Sequence, residues 1–209
     1  FGYLPKDEKL EIGSRHLGLI QSSEIEMLKE KINYCAELME KYIDLDSLLL
    51  EFKSCMRFKD EFHVKNKGLK IAVAKDKAFS FYYKENIELL EEIGEVTYFS
   101  PLKDEKLPEH IDLLYIGGGY PEVFREEISK NKSLLKSLKE KLESGLRCYA
   151  ECGGLMYLMS AFIDKGNEDE TYYNMVDFFK GNSYMTKRLQ NFGYAKVNVV
   201  EDRKSTRLN

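Results

Sequence analysis

Tyr149-Ala150-Glu151-Cys152-Gly153-Gly154-Leu155-Met156-Tyr157-Leu158 joins a strand pattern to a helix pattern through a single cysteine and two glycines. A strand-like run delivers a cysteine directly into two glycines, and the glycines open an apolar helical run. A strand-to-helix turn of this kind exposes a nucleophile, and glycines beside it let the backbone come close to a substrate. The partial positive charge of a helix N-terminus also favours thiolate over thiol. Ala150 stands where the familiar G-x-[SC]-x-G pattern has its first glycine. The competing reading is a buried cysteine at a tight turn.

Outward from this turn the chain alternates between strand and helix patterns. Strands are expected at Lys70 to Ala74, Glu95 to Phe99, Leu113 to Ile116 and Arg147 to Ala150, and helices at Lys84 to Ile93 and Ser133 to Ser144. Such an order specifies an α/β fold with a parallel sheet flanked by helices. Ligands of these sheets sit beyond the carboxyl ends of the strands, so the loops after Ala74, Ile116 and Ala150 are expected to share one crevice. The second of these loops, Gly117-Gly118-Gly119-Tyr120-Pro121-Glu122, has no Walker lysine. Beside a cysteine elbow, its backbone N–H groups suit a developing oxyanion. The first loop carries Phe79, Phe81, Tyr82 and Tyr83. Two readings stay open for these aromatics: a wall of the crevice, or packing under the sheet.

The amino-terminal third reads differently. Ile25, Leu28, Ile32, Cys35, Met39, Tyr42 and Ile43 recur at helical steps, with Ser23 and Glu26 as a capping box. A second helix is expected through Leu48, Leu49 and Phe52, capped by Asp44 or Asp46. The segment Lys65 to Gly68 breaks the pattern, which divides the chain into a helical part, 1–64, and the α/β part, 69–201. Cys35 and Cys55 fall in the helical part as packing residues, and Cys148 is expected to be inert under a helix.

With 43% hydrophobic and 33% charged residues and a formal net charge of -4, the 209-residue chain shows no basic stripe of the kind that binds nucleic acid. No apolar run approaches the roughly 20 residues of a membrane span, and a cytoplasmic protein is expected. The four cysteines make no C-x-x-C pair, and there are only three histidines, His16, His63 and His110. Neither a disulfide framework nor a metal site is expected in this chain.

A-E-C-G-G-L-M-Y-L, G-G-G-Y-P-E and A-F-S-F-Y-Y-x-E-N together resemble the glutaminase half of the cobyrinic acid a,c-diamide synthases, which are class I, triad-type glutamine amidotransferases. Phe1-Gly2-Tyr3-Leu4-Pro5 and Arg15-His16-Leu17-Gly18-Leu19 resemble the end of that family's synthetase domain, and Met185-Thr186-Lys187-Arg188-Leu189-Gln190 with Gly193-Tyr194 the segment before its histidine. The resemblance implies a ligase of cobalamin biosynthesis. Its nucleophile would be Cys152, with Gly118, Gly119 and Gly153 holding the oxyanion and glutamine as amido donor.

The partner substrate would be a corrinoid, held with ATP and Mg2+ in a synthetase domain where the a- and c-carboxylates are activated. That domain's phosphate loop is absent here, so no cofactor is expected on this chain. The family's histidine lies in a G-H-E-F-H-like stretch that this sequence does not contain. The chain is therefore expected to be inactive alone. Residues 202–209 also match a translated sequencing adapter and are expected to be an artefactual tail. The alternatives are a,c-diamidation of nickel-sirohydrochlorin by the same machinery, and a non-catalytic binding module.

Overall fold

The computed structural model describes residues 1–15, 18–53, 63–165, 169–186 and 196. The chain divides into two compact units, Phe1–Phe62 and His63–Asn209.

In the first unit a short hairpin, β1 (Ser14–Arg15) with β2 (Gly18–Leu19), precedes helices α1 (Leu28–Tyr42) and α2 (Leu45–Leu50). The expected capping box does not start α1. Ser22–Glu24 forms a separate 3-10 turn, and Met27 reverses the chain in the left-handed region (φ 52°), so α1 begins only at Leu28. Asp44, one of the two expected caps, does cap α2: its carboxylate accepts the Ser47 N–H at 3.1 Å. Phe52 lies beyond the helix end, and Cys55 lies outside the described residues. The amino terminus is tied to α1 by the Tyr34 hydroxyl, which donates to Asp7 at 2.7 Å, and by a bridge between Gly2 and Ile43. Apolar cover is thin. Leu38 is buried, but Ile32 is 59% exposed and Leu50 86%.

The second unit is a three-layer sandwich. Strands β3 (Leu69–Ala74), β5 (Gly94–Phe99), β6 (Leu113–Ile116) and β8 (Arg147–Ala150) form a parallel sheet in the order β5-β3-β6-β8. Successive strand residues point to opposite faces, and the two faces carry separate cores. Ile71, Val73 and Tyr115 pack under helix α3 (Lys84–Ile93) against Ile87, Leu90 and Ile93. Ala72, Ala74, Leu114 and Ile116 pack on the other side against Leu134, Leu138 and Leu142 of α5 (Lys132–Glu143). Ile71 to Ala74 are fully buried, as a parallel strand covered on both faces must be.

β3, α3, β6 and β8 fall where the sequence pattern puts them, except that β3 starts one residue earlier, at Leu69; β5 and α5 also start one residue earlier. Three features were not anticipated. Helix α4 (Arg125–Lys130) has a single buried side chain, Ile128, too little to give a periodic signal. Strands β4 (Phe79–Phe81) and β7 (Gly118–Gly119) lie inside the two loops and pair antiparallel. Beyond helix α6 (Gly153–Leu158), a second sheet joins β9 (Ala161–Lys165) to β10 (Glu170–Asn174) and β11 (Asn182–Tyr184). The 202–209 stretch lies outside the described residues. Among the described residues no helix is long and apolar enough to cross a membrane.

Candidate functional site

Cys152 sits between β8 and α6 with φ 50° and ψ −117°, outside the regions that a residue with a side chain ordinarily occupies. Strain of this kind persists only where the surroundings fix it. They do so here through close backbone packing. The Gly154 N–H donates to Gly117 C=O at 3.0 Å and to Glu151 C=O at 2.8 Å, and the Glu151 N–H donates to Ile116 C=O at 3.1 Å. A Cβ on Gly154 would stand 2.3 Å from the Ile116 carbonyl oxygen, so only glycine lets α6 start against the end of β6. The result is a thiol held out at the sheet's carboxyl edge, and Cys152 is exposed.

The glycine loop comes to the same place. A Cβ on Gly118 would lie 3.5 Å from that of Cys152, and one on Gly153 would lie 3.2 Å from the Gly119 carbonyl oxygen. Gly118, Gly119 and Gly153 are all buried beside the exposed thiol. The aromatic loop joins them through pairing of Phe79 with Gly119 and Phe81 with Gly118. All three loops therefore meet at one edge.

The four aromatics have different places. Phe79 is fully buried, its ring 5.2 Å from that of Tyr157, and belongs to the core rather than to a crevice wall. Phe81, 42% exposed, stacks edge-on to Tyr120 and flanks Gly118. Tyr82 turns under the glycine loop, and Tyr83, 76% exposed, caps α3.

Two carboxylates at this edge were not singled out from the sequence. Asp76 organises the first loop: one oxygen accepts the Ala78 and Phe79 N–H groups, and the other accepts the Ser100 hydroxyl and the Leu102 N–H. An aspartate two residues before the amide it captures is an Asx-turn signature that was there to be read. Glu151, next to Cys152, accepts the Tyr115 hydroxyl at 2.8 Å and the Tyr149 hydroxyl at 3.4 Å. Burial and this bond push the Tyr115 hydroxyl well above the usual phenol range, so it remains a proton donor. That contact depends on strand register, which pairs Tyr115 with Tyr149 and has no local signal.

Cys148 points into the α5 side of the sheet, where burial pushes its thiol up to about 12. Cys35 is half-buried on α1. His110 lies in the turn before β6, at the amino edge of the sheet and so opposite the elbow. His63, assigned to the helical part from sequence, belongs instead to the second unit, 3.6 Å from Glu92 at the end of α3. His16 lies outside the described residues.

No group of three or more His, Cys, Asp or Glu gathers as a metal site among the described residues. Among the described residues, the glycine loop does not fit the phosphates of ATP either. The Gly117 to Gly119 amides are not an open phosphate cradle, because positions beside these glycines are filled by Tyr82, Phe81 and Ala78, and no lysine follows them.

Residues 70–208 match the family model described as the CobB/CobQ-like glutamine amidotransferase domain. The chain is 62% identical over 209 residues to the cobyrinate a,c-diamide synthase of Clostridium acetobutylicum, covering 100% of this chain and 46% of that protein. It is 65% identical over 201 residues to the Clostridium tetani protein of the same name, covering 96% of this chain and 45% of that protein. A solved structure of a peptidase E protein from Listeria monocytogenes aligns at TM-score 0.41 and 16% identity, over 64% of this chain and 69% of its own. The chain thus spans less than half the length of the curated relatives it matches. The family match over most of the α/β unit, on a parallel sheet with a cysteine elbow at its carboxyl edge, makes this chain a member of the CobB/CobQ-like glutamine amidotransferase family.

Proposed function

We propose that this chain supplies the glutamine-hydrolysing part of an ATP-dependent, cytoplasmic synthase that amidates the a- and c-carboxylates of cobyrinic acid in cobalamin biosynthesis. The observation that carries the reading is the strained, exposed Cys152 set against Gly118 at the convergence of three loops. The shared name of the most similar relatives supports the substrate.

In this reading the Cys152 thiolate attacks the side-chain amide carbon of glutamine, and the carbonyl oxygen takes the negative charge. Backbone N–H groups near Gly119 and Gly153 stabilise that oxyanion. The C–N bond then breaks, the nitrogen gains a proton and leaves as ammonia, and a water molecule cleaves the thioester to release glutamate. ATP, Mg2+ and the corrinoid belong to residues other than those described here. Neither described histidine is near the elbow, so glutamine turnover by this chain alone is expected to be low even though its nucleophile is exposed.

The test uses the complete enzyme with cobyrinic acid and either glutamine or free ammonia. Cys152→Ser is expected to lower glutamine-dependent amidation by at least about a thousandfold and to leave the ammonia-dependent rate within about twofold. Loss of both activities would show that Cys152 serves the amidation itself. Amidation of nickel-sirohydrochlorin in preference to cobyrinic acid would overturn the substrate assignment.

A further inference from the structure

Tyr82 belongs to the aromatic loop but turns away from solvent. Its hydroxyl accepts the Gly117 N–H at 2.9 Å and donates to the Ala74 carbonyl. One oxygen thereby joins the end of β3 to the point where β6 becomes the glycine loop. The ring stands edge-on to Tyr115 at 5.2 Å, and a Cβ on Gly117 would come within 2.6 Å of its Cε1. Glycine at 117 and tyrosine at 82 are thus complementary. Burial raises the Tyr82 hydroxyl far above the usual phenol range, so it stays neutral, able to donate and accept at once.

We propose that Tyr82 is a positioning residue for the oxyanion-binding loop: by capturing the Gly117 N–H, it sets where Gly118 and Gly119 stand relative to Cys152. The proposal rests on the glutaminase reading above. Removing the hydroxyl would leave a buried N–H and a buried carbonyl without their partner, and the loop would shift to satisfy them. A shift of that kind weakens oxyanion stabilisation, which depends on donors placed within a few tenths of an ångström. It should not alter simple displacement at the sulfur.

Two electrophiles separate these effects in the 209-residue chain. Iodoacetamide reads the thiolate alone, since sulfur displaces iodide directly. A chloroketone analogue of glutamine reads the loop as well, because the thiolate first adds to the ketone carbon and makes its oxygen an alkoxide, and the sulfur then passes to the adjacent methylene as chloride departs, after which the C=O re-forms. Tyr82→Phe is expected to slow chloroketone labelling of Cys152 by at least about tenfold and to leave the iodoacetamide rate within about twofold. Tyr172→Phe, which removes an exposed hydroxyl bonded to Glu170, is expected to change neither rate.

Equal slowing with both reagents would mean that Tyr82 supports the elbow generally, and no slowing would mean that the tie is idle; either overturns the proposal. A wild-type chain whose chloroketone labelling glutamine does not protect would sink the glutaminase reading and the proposal with it. Hydrogen exchange in the folded wild type gives a second measurement that needs no variant. The Gly117 amide is expected to be protected, and exchange at the rate of an open loop would also overturn the proposal.

Discussion

Cys152 and Cys148 share one residue type and differ in what surrounds the sulfur. Cys152 is exposed at a turn where its own backbone is strained, and Cys148, four residues earlier, is pushed up to about 12 by burial. A thiol raised on folding stabilises the fold below the unfolded value of about 8.5, and that contribution is lost as pH rises toward the folded value. Cys148 is therefore expected to resist iodoacetamide at pH 8 in the folded chain and to react only after unfolding. Peptide mapping after a timed pulse checks this. Alkylation of Cys148 at a rate comparable to that of Cys152 would show that its burial is not effective.

Asp177 shows a carboxylate shifted the other way. Its carboxyl is held well below the usual range first by Lys139 at 2.6 Å, then by the Ser160 hydroxyl at 2.6 Å and by Lys180. These bonds fasten the segment between β10 and β11 to α5 and to the end of α6. A carboxyl depressed on folding stabilises the fold above the unfolded value of about 3.9, and the contribution fades as pH falls through the folded one. Asp177→Asn is expected to lower the melting temperature at pH 7, with the gap to the wild type narrowing progressively as pH falls below about 3.9 toward the depressed folded value. A difference that is constant across this range would mean that the charge plays no part.

At the scale of elements, α5 holds one face of the sheet by a stripe of leucines. Leu134, Leu138 and Leu142 recur every four residues, and Leu134 and Leu138 are fully buried against Leu114 and Ile116. Leu138→Ala removes a packed side chain from the middle of that stripe. It is expected to cost about 2–5 kcal/mol of unfolding free energy, read from urea denaturation. The same change at Leu50, 86% exposed on α2, is expected to cost less than about 0.5 kcal/mol. Similar losses at the two sites would show that α5 is not anchored as described.

At the scale of the whole molecule, the two units differ in how completely they are covered. The α/β unit buries both faces of its sheet, whereas the first unit leaves Ile32, Leu49, Leu50 and Phe52 exposed. That contrast suits a helical segment whose packing partners lie in another part of a longer protein. Limited proteolysis is expected to cut first between His63 and Leu69, where the backbone is irregular and its side chains are largely exposed. First cuts inside β3 to β8 would place the boundary elsewhere.

The periods of β3, α3, β5, β6, α5 and β8, the cysteine between a strand and two glycines, and the tripled glycine after β6 were legible because each is a short local pattern. Local sterics and side-chain periodicity act at that range, and they determined the α/β class and the place of the cysteine turn. What they do not carry is the relation between residues far apart in the chain. The pairing of Phe79 with Gly119, the bonds of Tyr82 to Gly117 and of Tyr115 to Glu151, and the burial of Phe79 against the exposure of Tyr83 follow from strand order and register. Those are set by the burial of two opposite sheet faces at once, a constraint that exists only when the chain is folded.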